Sequence, residues 1–437
     1  MRPEVHVVGG GLAGPEAAWQ AACAGARVVL YEMRPHRQTP AHKTSDFAEL
    51  VCSNSLKSEQ ENTAPWLLKE ELRRAGSLLI GEIAPRVRVP AGHALTVDRE
   101  RFSAEVTRAI SRNPSIEIRR EEVTTLDPDK TWIVASGPLT SDALASEICR
   151  LTGSTRLFFY DSISPIVSAD SIDMSIAFAA SRYGKSLDGT DDYLNCPFDR
   201  EEYEGFVDAL LVGESVPAHI EDDDFLNKDV RYFEACLPIE ELARRGRETL
   251  RFGPMKPVGL EDPRSGRRPY AVVQLRRENV RAGSYNLVGF QNHMRFGDQQ
   301  RVLRMIPGLQ NAEFLRFGQV HRNTYINGPA LLNARLQLRA HPHIFFAGQI
   351  TGVEGYVESI ATGLVAGRNA AGAPLERPRE TALGSLCAYV SGADPDGYQP
   401  ANIAFDLFPP LDRQIRDRRL RHAEICRRAL EASFAHA

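Results

Sequence analysis

Several features are missing from this 437-residue chain, and each absence removes a class of protein. No apolar run approaches the roughly 18 residues that a membrane-spanning helix needs. The start, MRPEVHVVGG, enters a strand pattern directly, with neither the basic segment nor the long apolar run of a secretory leader. The seven cysteines (23, 52, 149, 196, 236, 387 and 426) form no CxxC pair and no paired metal-ligand cluster. Their odd number and scatter fit free thiols better than a disulfide framework. The eleven histidines are dispersed without an HExxH, so no catalytic metal is expected. A cytoplasmic protein without a membrane partner follows as the expectation. An overall basic excess is also lacking: the net charge of -4 argues against a globally basic nucleic-acid binder but leaves room for a local patch. No internal repeat or low-complexity segment is present. At this length one hydrophobic core seldom suffices, so two domains, or one with a large insertion, are expected.

What is present begins with EVHVVGGGLAGPEAAWQAACAGARVVLYE, read as strand, glycine turn, helix and strand. Gly9, Gly11 and Gly14 stand in GxGxxG register, with Gly10, Leu12 and Ala13 completing the turn and opening the helix. Gly9 permits the tight turn, Gly11 lets the backbone approach a pyrophosphate, and Gly14 allows the helix to pack closely on the strand. Free N–H groups at the helix start favour the phosphates. Glu32, 18 positions after Gly14, stands where a carboxylate accepts hydrogen bonds from a ribose hydroxyl. Two further segments bear on the cofactor. TWIVASGP (131–138) reads as a strand ending at Gly137, and HIFFAGQITGVEGYVESIATGLVAGRNAAG (343–372) reads as strand, glycine turn and small-residue helix. Together they resemble the separated FAD contacts of glutathione-reductase-like flavoproteins, whose last strand ends in Gly-Asp; here it ends Gly348-Gln349. Glu354 and Tyr356, just before the last helix, are expected to border the isoalloxazine. An S-adenosylmethionine enzyme would share the first turn and the acid but has no use for the late strand and helix. With no second GxGxxG, a nicotinamide cofactor is expected to dock transiently.

FAD elements at both ends imply an α/β fold: a discontinuous glutathione-reductase-like FAD-binding Rossmann domain (1–155 and 325–437) with an inserted α+β domain (156–324). Within the insertion, YDSISPIVSADSIDMSIAF suggests strands, EEYEGFVDALLV a helix and HIEDDDFLNKDV an acidic surface loop. Residues 243–281 hold eleven Lys or Arg against four Asp or Glu. Such a run is either a solvated face or a patch that tracks phosphates. Arg244, Arg245, Lys256, Arg276 and Arg277 are the candidate substrate contacts there, with Phe252, Tyr270 and Tyr285 as rings able to stack on splayed bases. Lys256 serves equally as an ordinary surface lysine or a contact for a folate tail. LDRQIRDRRLRHAEICRRAL (411–430) reads as a C-terminal helix, and its arginines either extend the patch or solvate the helix.

The blocks FAELVCSNSLKS, RVPAGHALTVDRERFS, YLNCPF, RYFEACLPIEELARRG, LRFGPMKPVGL, MIPGLQNAEFLRFGQVHRNTYIN and GVEGYVESIATGL resemble the bacterial folate- and FAD-dependent tRNA methyltransferases, the TrmFO family. The similarity runs from the first strand to near the C-terminus. It implies methylation of the T-loop uridine (position 54) of tRNA at C5, forming ribothymidine. The carbon would come from 5,10-methylenetetrahydrofolate through reduced FAD, with NAD(P)H as reductant and no obligate protein partner. Rival readings are a flavoprotein modifying the wobble uridine, a tRNA-binding flavoprotein that acts as a chaperone without chemistry, and a general NAD(P)H oxidase.

The same resemblance singles out Cys52 and Cys236 as catalytic. Uracil C5 is a poor nucleophile until a thiolate adds reversibly at C6, and the C5 proton must later leave, so a nucleophile and a proton acceptor are both required. Which cysteine does which is left open by the sequence. Arg244, Arg245 and Arg247 follow Cys236 and would favour its thiolate, which tilts the assignment toward Cys236 as nucleophile and Cys52 as the flavin-side partner. Cys23, Cys149, Cys387 and Cys426 are expected to be buried packing residues; Cys196 has no evident chemical task. His321, Arg322 and Asn323 return the chain to the flavin domain and are weaker candidates.

Overall fold

The computed structural model describes residues 2–153, 157–186, 190–215, 237–279, 281–375 and 377–434. The first unit is the expected one: strand β1 (Glu4–Val8), helix α1 (Ala13–Cys23) and strand β2 (Arg27–Tyr31). The strands are buried over four of their five residues, apolar there except at His6, the pattern of a parallel sheet covered on both faces. That sheet has five parallel strands in the order Ile344–Phe346, Thr131–Val134, β1, β2, Ile116–Arg119. The strand from residue 344 thus pairs beside one from residue 131, and the late helix Tyr356–Ala370 comes to lie along α1.

The contact between these two helices is closer than side chains would allow. A Cβ on Gly363 would stand 2.4 Å from the Ala13 carbonyl oxygen, and one on Gly367 2.4 Å from that of Ala17. Alanines on α1 and glycines on its partner bring the two backbones into contact. The late helix, called the cleft helix below, therefore places its N-terminus beside the glycine turn.

The described residues between 166 and 316 build a second layer, an antiparallel sheet in the order Phe178–Ala179, Tyr193–Phe198, Ala271–Arg277, Ser284–Leu287, Ile166–Ser168, Phe314–Arg316. It has its own apolar core, including Phe198, Phe206, Val273 and Phe290. The helix Arg200–Val212 starts on a capping box in which Asp199 and Glu202 satisfy each other's backbone N–H groups. The chain passes between the two layers through an antiparallel ribbon, Leu157–Ile163 paired with Gln319–Tyr325. The α/β class and the Rossmann-type sheet agree with the reading of the sequence.

Three expectations change. The C-terminal helix spans Arg418–Phe434, not 411 onward, because the Asp417 carboxylate accepts from the Leu420 N–H and starts the helix there. Tyr285, proposed as a stacking ring, is buried in the core of the antiparallel layer. Cys23, expected to be buried, is exposed at the end of α1, where the helix leaves the sheet. The acidic segment HIEDDDFLNKDV lies outside the described residues. Among the described residues no helix is long and apolar enough to cross a membrane.

Because the Ala17 carbonyl sits where its Cβ would go, Gly367→Ala is expected to cost about 1–3 kcal/mol. A lowered urea midpoint would register this; an unchanged one would mean the helices can part freely.

Candidate functional site

The glycine turn, the ends of three parallel strands and the cleft helix enclose an elongated cleft. Gly9 (φ +108°) donates its N–H to the Tyr31 carbonyl at 2.9 Å, and a Cβ on it would stand 2.4 Å from the Ala135 oxygen. Gly14 packs against the turn so tightly that a Cβ would stand 1.8 Å from the Gly9 oxygen. At Gly11 and Gly137 a Cβ would meet nothing within 4 Å; both face open space at the cleft, so a ligand can approach the main chain. Leu12 and Ala13 lead into α1, whose start carries no side-chain cap. These features fit a dinucleotide with its pyrophosphate over the turn.

Glu32 lines the cleft as expected, but it already has company. Its Oε2 accepts from the Gly10 N–H at 2.8 Å and Arg34 Nη2 at 3.1 Å, while Oε1 accepts from the Arg34 backbone N–H at 2.9 Å and Nε at 3.0 Å. Burial, the largest single effect, pushes the carboxyl pKa up, yet the Arg34 hydrogen bonds and charge outweigh it and leave Glu32 below its ordinary value. Arg34 is almost fully buried and continues to the Thr44 carbonyl at 3.1 Å and Glu49 at 3.3 Å. Glu49 in turn accepts from the N–H groups of Lys43 and Thr44. Arg34, His42 and Glu49 all line the cleft, and none was singled out in the sequence. They belong to a loop without a periodic pattern, so only its return to the sheet reveals them.

At the far end Gly348 (φ +81°) approaches α1, a Cβ there standing 2.9 Å from that of Ala13, and its N–H donates to Thr362 Oγ1 at 2.8 Å. Gln349, in place of the familiar aspartate, donates from Nε2 to Glu354 Oε2 at 2.9 Å. Tyr356 opens the cleft helix, and its phenol oxygen accepts from the N–H groups of Cys52 (2.8 Å) and Ser53 (3.1 Å). Burial raises the phenol above its ordinary pKa, the Cys52 charge adding to the effect, so the hydroxyl stays protonated.

Cys52 is half-buried where the cleft meets the antiparallel layer. Arg276 Nη2 donates to Ser53 Oγ at 2.7 Å, and Asn54 Nδ2 donates to the Arg277 carbonyl at 2.8 Å. Arg99, paired with Glu278 at 2.8 Å, donates to the Leu50 carbonyl; Arg99 and Arg316 both interact electrostatically with Cys52. Positive charge beside sulfur stabilises a thiolate. The guanidinium groups that the sequence suggested for Cys236 thus have counterparts around Cys52.

The remaining candidates separate. Cys236 lies outside the described residues. Arg244, Arg245 and Lys256 are exposed on the antiparallel layer, away from the cleft lining, and Arg276 is buried against the Cys52 segment. Cys196, Cys387 and Cys426 are packing residues whose thiols burial pushes up to about 12. Cys149 is half-buried. Among the described residues no group of three or more His, Cys, Asp or Glu is placed to hold a metal ion.

His42 gives this loop a pH signature. Burial, and then the nearby Arg34 charge, lower it from 6.5 to about 4. The unfolded chain therefore takes up this proton first as pH falls. Its contribution to stability is complete above about 6.5 and is lost progressively toward 4. Urea midpoints measured across this window should fall less steeply in His42→Asn than in the parent.

Residues 4–378 match the family model described as Glucose inhibited division protein A. A Solibacter usitatus protein named methylenetetrahydrofolate--tRNA-(uracil-5-)-methyltransferase TrmFO is 67% identical, with 100% of both chains covered. A Koribacter versatilis protein of the same name is 61% identical over 99% of this chain and 97% of its own. Among solved structures, Aquifex aeolicus GidA in its form I crystal covers 100% of this chain and 76% of its own, with TM-score 0.68 and 15% identity, a likeness of fold. With such identity running from the glycine turn through the Cys52 loop to the end of the chain, the protein belongs to the TrmFO family.

Proposed function

We propose that the chain is a methylenetetrahydrofolate-dependent tRNA (uracil-5-)-methyltransferase that acts on the T-arm uridine at position 54 with NAD(P)H as reductant. What carries the reading is Cys52, set between the cleft and the antiparallel layer in a chain 67% identical end to end to a protein of that name. FAD fits the cleft and would be held by the turn Gly9–Gly14, Glu32, Gly137 and the Gly348–Gln349 corner. When bound and reduced, it supplies the one-carbon carrier and the hydride that completes the methyl group.

The chain's own residues do the rest. Cys236, as thiolate, adds to uracil C6 and makes C5 nucleophilic; its later departure restores the ring. Cys52 takes the C5 proton on the flavin side. Tyr356 positions the Cys52 loop through the two N–H groups it accepts, and Arg99 and Arg316 hold the sulfur's charge. The parts 1–155 and 325–437 form the flavin-binding unit, and 156–324 presents the RNA.

Incubation with an unmodified tRNA transcript, labelled methylenetetrahydrofolate and NADPH should put label into ribothymidine at position 54. Label elsewhere, or none, overturns the reading. Cys52→Ala should lower methyl transfer by about 10²–10⁴-fold, the range for loss of a general base, with FAD content preserved. RNA carrying 5-fluorouracil at position 54 should trap on Cys236; an adduct on Cys52 would reverse the two roles.

A further inference from the structure

The basic segments of the sequence meet different fates in the fold. In the antiparallel layer Arg244 pairs with Glu241, Arg247 with Asp208 at 2.6 Å, Arg251 with Glu248, and Arg264 with Asp262 at 2.9 Å. Four of the eleven cations of that run are thus neutralised where they stand. Residues 411–421 behave otherwise. Arg413, Arg416, Arg418, Arg419 and Arg421 are all exposed, and among the described residues none of them forms an ion pair. Asp417, between Arg416 and Arg418, is occupied in starting the C-terminal helix.

These five arginines rim a groove, and Lys185 reaches it from the antiparallel layer. Three carboxylates, Glu61, Asp406 and Asp412, share the lining, so cations outnumber them two to one. With a volume of about 1950 Å³, the groove exceeds the usual range of small-molecule pockets, about 300–1,000 Å³. Part of its wall is tied to the C-terminal helix. Arg428 donates to the carbonyls of Pro409 (2.6 Å) and Pro410 (2.7 Å), and the Phe405 and His422 rings lie 4.3 Å apart.

The groove is also coupled to the Cys52 segment. Strand β3 (Ser55–Ser58) runs from the cysteine loop toward Gln60–Asn62, which line the groove. Lys57, on β3, bonds to Glu358 of the cleft helix at 2.5 Å and to Asn402, next to the groove residue Ile403. Ile403 donates its own N–H to the same Glu358 at 2.9 Å.

We infer that this groove binds the phosphate backbone of the RNA substrate, Arg413, Arg416 and Arg419 contacting phosphates as the strand passes the Cys52 loop. The inference rests on the tRNA reading above and adds the surface that holds the RNA. Guanidinium groups without ion pairs release phosphate counterions without first breaking pairs of their own.

The test uses the full-length flavoprotein with Arg413→Gln, Arg416→Gln and Arg419→Gln combined, and an unmodified tRNA transcript followed by anisotropy over a potassium chloride series. The slope of log affinity against log salt should fall by about one unit per arginine removed. Affinity at moderate salt should drop about tenfold or more, and KM for tRNA should rise while kcat holds. The matching triple Arg→Lys variant keeps the charge and should keep the slope. Arg427→Gln, on the C-terminal helix but paired with Glu424 and Glu431, should change neither quantity. Bound FAD and an unchanged melting midpoint identify folded variants. If the triple Gln variant binds tRNA with parental slope and affinity, the inference fails, and the groove is left for an acidic protein partner. If the parent itself neither binds nor methylates tRNA, the functional reading fails first, and the two failures are distinguishable.

Discussion

The backbone contact between α1 and the cleft helix is the constraint on which the rest depends. The contacting positions are 350 residues apart in sequence, yet Gly363 and Gly367 let the main chains of the two helices meet at Ala13 and Ala17. Only at that spacing does the Gly348 corner reach α1 and Tyr356 reach the Cys52 loop. A cavity made from both ends of a chain needs such a join, because neither half contains the complete site. Dispersion gains of this kind are small for each atom pair but add up over a long helix contact.

The electrostatics around the cleft follow from the same closure. Glu32, Arg34 and Glu49 form a nearly dry chain of charge, tolerable because each group has hydrogen-bonding partners. At the other end Arg99, itself paired with Glu278, and Arg316 act electrostatically on the Cys52 thiol. One end of the cavity has its charges satisfied internally, whereas the other concentrates positive charge on a side chain suited to chemistry. That asymmetry separates the part that holds a cofactor from the part that reacts.

Local patterns were legible and distant ones were not. The β1–α1–β2 unit could be read because its turn, helix and acid lie within thirty consecutive positions, and the late strand and helix because their small residues are distinctive. The engagement of Glu32 by Arg34 could not be read, since it depends on a loop at 42–49 that returns without periodicity. Arg276 belongs to a run that looks like surface, and only strand pairing turns it inward against Ser53. Tyr285 is misleading for the same reason, as alternate strand positions face opposite sides of the sheet. Cys23 closes an alanine-rich helix whose buried face ends just before it. Cysteine chemistry itself came from family likeness; spacing alone offers no reason to prefer Cys52 over Cys149.

The antiparallel ribbon carries a consequence for how the chain was assembled. Leu157 and Tyr325 are paired neighbours, so a detour of well over a hundred residues leaves and re-enters the parallel-sheet unit at one point. The entropy of closing such a detour grows only with the logarithm of its length. The host therefore feels the guest as little more than a hairpin, whatever its size. Lineages sharing this host are free to exchange or enlarge what sits beyond the ribbon, provided that the replacement supplies partners for Ser53 and Asn54.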